Sequence, residues 1–263
     1  MTLHSSGRHR HRSGALPWSA APGVLLWLAA STAAAAQVRP DWPKPVDDQQ
    51  QNLFLLADVL EYRPGEGPDD FRWDLEGWYG GDYNRVWLKS EGERNTAFKP
   101  DYDIDVQLLY GRFLWRYYDL QLGARFETQT FRGEEVSRVH AVVGLEGLVP
   151  YGYDVETALF LSEDGDLSAR LSATKDFLFT QRLILQPRLE SHAAAQKVEQ
   201  FTTGRGLNNI ELGFRLRYEI RRKIGPYLGV SFDWSLFDTA DLVREDGGDP
   251  SQVRFVAGLR LWH

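Results

Sequence analysis

From about residue 71 to the end of the chain, apolar and polar side chains alternate with a period of two. Between 210 and 220, Ile210, Leu212, Phe214, Leu216, Tyr218 and Ile220 alternate with Glu211, Gly213, Arg215, Arg217 and Glu219. That rhythm predicts β-strands with one apolar and one polar face. About twelve strands are expected, near residues 53–63, 71–80, 83–92, 103–113, 118–128, 137–148, 153–163, 167–176, 182–192, 207–220, 227–237 and 251–263. In the first, Leu53 to Leu60 is nearly continuous in apolar residues, which blurs the alternation.

The connections between strands carry a second signal. Those at 81–82, 114–117, 149–152, 177–181 and 221–226 are short, whereas 64–70, 93–102, 129–136, 193–206 and 238–250 are longer and rich in Gly, Asp, Glu or Pro. Only 164–166 breaks the alternation of short and long. Short periplasmic turns and longer extracellular loops distinguish an antiparallel transmembrane β-barrel from a soluble sandwich. The apolar face then meets lipid and the polar face lines the lumen. Ile104/Val106/Leu108/Tyr110, Leu120/Leu122/Ala124/Phe126, Val139/Ala141/Val143/Leu145, Leu183/Leu185/Leu189 and Val253/Phe255/Ala257/Leu259/Leu261 fall on the lipid side without a charge among them. Pro187 shares that face and cannot donate to the ladder, so a bulge is expected there. Trp73, Tyr79, Tyr118, Tyr151, Tyr153, Tyr218 and Trp234 lie near strand ends, where an aromatic girdle belongs.

The ends fit an exported barrel. Arg8, Arg10 and Arg12, the apolar run Val24–Ala30 and the small residues Ala34–Ala36 read as a signal peptide over 1–36. The Pro-rich, polar segment 37–52 reads as a flexible periplasmic leader, and 53–263 as the barrel. Removing the three arginines takes the formal charge from −7 to about −10, which argues against nucleic acid and suits cations. The chain has no cysteine, and its one methionine is Met1, so neither disulfide nor soft sulfur ligand is available after export.

The blocks GWYGGDYNRVWLKSEGE (77–93), VPYGYDVETALFLSEDGDLSARL (149–171), TQRLILQPRLE (180–190), ELGFRLRYEIRRKIGPYLGVSF (211–232) and RFVAGLRLWH (254–263), with LEYR (60–63) and TAD (239–241), resemble the copper-resistance protein B family of Gram-negative outer membranes. The likeness runs through nearly the whole barrel. It implies a monomeric outer-membrane barrel, encoded with a periplasmic multicopper oxidase, that helps the cell tolerate copper ions. Two features depart from the family pattern. Members often carry a Met- and His-rich segment before the barrel, and residues 37–52 contain neither residue type. His263 stands where such barrels usually end on an aromatic residue, and is read as a tolerated variation.

With the termini periplasmic, His140 and His192 fall on the inward parity near the outer mouth. Glu190, Glu211, Asp74, Glu91, Asp103, Asp105 and Glu127 are expected inward or at the rim on the same side. Toward the periplasm the inward face is expected to be basic, with Arg182, Arg217 and Arg221–Lys223. His140, His192, Glu190 and Glu211 form a candidate ligand set for Cu(II), which accepts imidazole and carboxylate, whereas Cu(I) prefers sulfur. The alternative is that these groups pair with the inward arginines Arg125, Arg170, Arg188, Arg215, Arg217, Arg254 and Arg260 and fill the lumen. A hydrolase is not expected, because Ser137 and His140 are three apart and so lie on opposite faces of a strand. The expectation is thus an outer-membrane barrel that binds or passes copper ions. Its rivals are a solute channel without metal preference and a structural or adhesive barrel with a filled lumen.

Overall fold

The computed structural model of the protein describes residues 50–64, 69–96, 101–131 and 133–263. The expected signal peptide, and the leader as far as residue 49, lie outside the described residues. The first half of the chain forms β1 (Asn52–Arg63), β2 (Asp70–Gly80), β3 (Asn84–Asn95), β4 (Tyr102–Trp115), β5 (Tyr118–Phe131) and β6 (Glu134–Val149). Then come β7 (Tyr153–Ser162), β8 (Leu167–Lys175), the two-residue β9 (Phe177–Leu178) and β10 (Leu183–Ala194). The last strands are β11 (Gly206–Tyr218), β12 (Ile224–Ser235) and β13 (Ser251–Trp262), with helix α1 (Phe237–Glu245) before β13.

Each long strand pairs antiparallel with the next, and β13 returns to pair with β1. The twelve long strands therefore close into a barrel, and β9 is a short extension beside β10. Closure satisfies every strand edge internally, which is the condition for strands to cross lipid. The main chains of His263 and Leu55 exchange hydrogen bonds of 2.8 and 3.2 Å at the seam. Among the described residues no helix is long and apolar enough to cross a membrane.

The expected strands form within a few residues of their predicted limits. Three connections differ. The loop expected over 129–136 is a tight hairpin, because β5 and β6 stay paired as far as Phe131 opposite Glu134. The loop expected over 238–250 contains α1, which buries Thr239, Ala240 and Leu242. Asp238 in its first turn and Arg244 in its last complement the helix dipole. The turn expected over 221–226 tightens around Arg222 and Lys223, with Arg221 bridged to Ile224. The ends remain unequal. The connections at 64–69, 96–101, 195–205 and 236–250 share one end with the tight 132–133 and 163–166, and the termini share the other with the short turns.

The outward face is apolar: Leu108, Phe126, Val143 and Phe255 are all exposed there. Between them Asp105, Gln107, Arg125, Glu127 and His140 are buried inside. At the short-turn end Tyr79, Tyr83, Trp115, Tyr117, Tyr151 and Tyr153 are exposed and form a girdle, while Trp234 lies toward the other end.

Two irregularities have local causes. In β1 the register with β2 slips between Ala57 and Val59, so Asp58 is bulged. The bulge turns Asp58 and Val59 inward in succession and shifts the phase of the strand, so no single alternation runs through Leu53–Leu60. Near Pro187 the β10 strand stays in register with β11, and the break falls on its other side. There β8 ends its pairing at Thr174 and β9 resumes at Phe177, leaving no partner that would need the missing proline N–H.

The lipid assignment makes a prediction. Leu108→Arg places a charge on the mid-strand outer surface and should lower barrel stability by about 2–4 kcal/mol. Equilibrium unfolding from lipid vesicles reads this as a drop in the denaturant midpoint. An unchanged midpoint would contradict the assignment of that face to the membrane.

Candidate ion pathway in the lumen

A charge on a polar strand face turned into a closed barrel is costly unless it is paired, because water is scarce there. The inward side chains accordingly form a network across the lumen. Arg188 on β10 reaches Asp58 on β1 at 3.0 Å and Asp74 on β2 at 2.7 Å. Arg170 on β8 reaches Glu91 on β3 at 2.7 Å and Glu156 on β7 at 3.3 Å. Lys89 on β3 bonds Glu146 on β6 at 2.6 Å and Glu156 at 2.9 Å. Nearer the seam, Arg215 pairs with Glu61 at 2.5 Å, and Arg63 with Glu61 at 3.0 Å and Glu211 at 3.1 Å.

All seven arginines expected to face inward do so with carboxylate partners. Besides those named, Arg125 holds Asp105 and Glu127 at 3.0 Å, Arg217 holds Asp176 at 2.7 Å, Arg254 holds Glu93 at 2.9 Å and Arg260 holds Asp58 at 2.7 Å. Arg63, Arg72 and Lys89 are members that the sequence reading missed. Their signal was present: Arg72, Asp74 and Glu76 alternate with the outward Phe71, Trp73 and Leu75.

Part of the lumen is apolar. Trp87, Leu109, Val142, Ala158 and Phe160 are buried inside the barrel, with Trp78 packed against them. The cross-strand pairs Trp87–Leu109 and Val142–Phe160 build this layer. It accounts for runs such as Leu108-Leu109-Tyr110, where an apolar residue occupies the inward parity too. Gly111 leaves room for it, since a Cβ there would lie 2.4 Å from Trp87 Nε1.

Among the described residues two cavities stand out in the lumen. The larger, about 500 Å³, lies toward the long-loop end and is lined by ten carboxylates and six arginines, Glu91, Glu127, Glu190, Glu211, Arg72 and Arg170 among them. The smaller, about 60 Å³, carries Asp58, Asp74, Glu76, Glu91, Glu146, Asp154 and Glu156 against Lys89, Arg188 and Arg260. Glu91 lines both. Carboxylates therefore outnumber cations along the lumen, including the half expected to turn basic. Arg182 and Arg221–Lys223 are exposed around the turns and do not line the smaller cavity, whose wall comes from β1–β3, β6–β8, β10 and β13.

The four candidate ligands divide into two groups. Glu190 and Glu211 are opposite each other on β10 and β11, and Arg72 bridges them. His192 joins this group, its Nε2 3.1 Å from Glu190 Oε1, and lines the larger cavity. His140 belongs to the other wall. It is only 1 % exposed, with Nε2 3.0 Å from Glu127 Oε2 and its ring edge-on to Phe160. Its Nδ1 has no hydrogen-bond partner. Glu127 also accepts from Arg138 at 2.5 Å. Among the described residues no group of three or more His, Asp or Glu is arranged to hold a metal ion. His263 sits at the seam with its Nδ1 2.9 Å from Lys223 Nζ.

With this geometry in hand, comparison with known proteins is specific. The family model described as copper resistance protein B precursor (CopB) matches residues 51–263. The chain is 40% identical over 217 residues to copper resistance protein B of Escherichia coli, covering 82% of this chain and 71% of that protein. It is also 40% identical to the copper resistance protein B homolog of Pseudomonas syringae pv. tomato, over 82% and 72% of the two chains. Among solved structures, the NanC porin superposes with a TM-score of 0.50 at 14% identity, over 80% of this chain and 99% of that one, a likeness of fold alone.

The network predicts a stability effect of definite sign. Arg188→Met leaves Asp58 and Asp74 without this partner and should destabilise the barrel by about 3–5 kcal/mol. The check is the unfolding midpoint in vesicles. A midpoint equal to that of the parent would show that these cross-lumen pairs are not structural.

Proposed function

The chain belongs to the copper resistance protein B family, and from that premise we propose that its barrel passes copper ions along the acidic lumen. It is a non-catalytic barrel of the Gram-negative outer membrane, involved in copper resistance. The observation that supports copper passage is the excess of carboxylates over cations in both cavities. A lumen of one sign concentrates ions of the other.

The ligand chemistry favours Cu(II). Imidazole and carboxylate suit it, and the only sulfur in the chain is that of Met1. His192 and Glu190 are the groups an entering ion would meet in the larger cavity, with Glu211 beside them, whereas His140 on the opposite wall lines neither cavity and stands behind Glu127. Their carboxylates are already held by guanidinium groups, so they suit brief contacts with a partly hydrated ion better than a closed coordination shell. The barrel acts as a monomer, and a periplasmic multicopper oxidase is the partner that the family context suggests. A channel without metal preference is the second reading, favoured by the absence of a ligand cluster among the described residues.

Two measurements test this reading. His140→Ala combined with His192→Ala should weaken Cu(II) binding about tenfold by titration calorimetry in detergent, as expected for loss of imidazole ligands. Unchanged binding removes these residues from the pathway. In a strain deleted for the gene, copper tolerance should fall and be restored by a plasmid copy, with zinc and silver tolerance unaffected. Ion conductance indifferent to copper, without a copper phenotype, would favour the unselective channel.

A further inference from the structure

The connection between β10 and β11, residues 195–205, does not stand away from the barrel. It folds on itself, with Val198 and Thr203 exchanging main-chain hydrogen bonds of 2.8 and 3.1 Å around a 3-10 turn at Glu199–Phe201. Thr202 closes that turn in the left-handed region, at φ 47°. Its tip meets strands elsewhere in the ring: Gln129 Nε2 on β5 donates to the Gln200 carbonyl at 2.7 Å, and the Arg138 guanidinium on β6 lies 3.7 Å over the Phe201 ring. On that side of the ring β6, β7 and β8 lie between β5 and β10.

The base is fixed as well. Ala195 N–H donates to the Leu167 carbonyl at 2.8 Å, and Leu167 N–H donates to Gln196 Oε1 at 2.9 Å. Gly204 N–H donates to Thr239 Oγ1 on α1 at 3.0 Å. A Cβ at position 204 would lie 2.4 Å from the Thr239 nitrogen, so this close approach requires glycine. Val198, Phe201, Thr202 and Thr203 thereby become lining of the larger cavity.

We propose that residues 195–205 form a tongue that closes the outer mouth of the barrel, with Arg138 and Gln129 as its latch. The base is bonded to its own neighbours, whereas the described contacts of the tip with the β5–β6 wall include one hydrogen bond and one cation–π contact. Those two contacts are weak enough to break and reform in place. Arg138 is held from behind by Glu127, so its guanidinium stays in position whether or not Phe201 is seated. Hinged at the base and latched at the tip, the tongue sets the access of ions to the vestibule. The inference concerns any small ion and stands apart from the copper reading.

The test uses the full-length protein in nanodiscs, and the absence of native cysteine allows clean labelling. Spin labels at Gln200→Cys and Glu134→Cys report the distance from tongue tip to the β5–β6 hairpin. Gln200 contributes only its carbonyl to the latch, and Glu134 lies at the hairpin end, so neither label removes a contact under test. The parent should give one narrow, short distance. Gln129→Ala with Phe201→Ala should raise the population of long distances about tenfold, the effect of losing one hydrogen bond and one cation–π contact. Potassium chloride conductance in planar bilayers should rise with it. A broad distribution in the parent, an unchanged one in the variant, or unchanged conductance would each overturn the proposal. None of these readouts involves copper, so they fail or succeed independently of the copper measurements.

Discussion

Burying charge inside a closed barrel is the constraint on which the rest of this structure depends. The strand pattern commits a polar face to the lumen, and a charge there is tolerated only with a partner. The partners come from strands on other parts of the wall. Arg188 reaches back to β1 and β2, Arg170 to β3, and Lys89 to β6 and β7. These pairs brace the wall and narrow the lumen at once. The same side chains that hold the barrel closed thus determine what can pass through it.

The pairing is incomplete in a directed way. Carboxylates remain in excess in both cavities, and among the described residues Glu76 and Asp154 line the inner one without forming an ion pair. A neutral network would serve stability better. On the proposed reading the excess offers carboxyl ligands to an incoming cation, while the arginines keep the carboxylates of the wall from repelling one another. The proposed route for copper, in a chain without sulfur beyond Met1, is passage with brief contacts to oxygen and nitrogen ligands.

Much of this was legible in the sequence. Period-two alternation fixes which residues face lipid and which face the lumen, so the inward arginines and His140 could be placed before any coordinates. What alternation could not carry was the reach of side chains across the ring. His140 and His192 share the inward parity, yet one pairs with Glu127 and the other with Glu190 on a different part of the wall. Nor could a strict rhythm find Asp58, because the bulge that turns it inward breaks the very pattern being read. The inward apolar layer of Trp87, Leu109 and Phe160 was hidden for a related reason: where both faces are apolar, the alternation vanishes. In sequence the tongue is no more than a long outer connection, because its contacts Gln129 and Arg138 are remote along the chain.

The most direct test of the account is Cu(II) entry into proteoliposomes that contain a trapped copper-quenched dye. The comparison is between the parent and a Glu76→Gln, Asp154→Asn variant, which keeps the described ion pairs and replaces two carboxyl groups of the inner cavity that lie outside them. The account predicts rapid quenching with the parent and severalfold slower quenching with the variant, because the inner cavity then offers fewer carboxyl ligands to a passing Cu(II) ion. Equal rates for the two, with both barrels folded, would contradict the claim that the carboxylate excess carries the ion through.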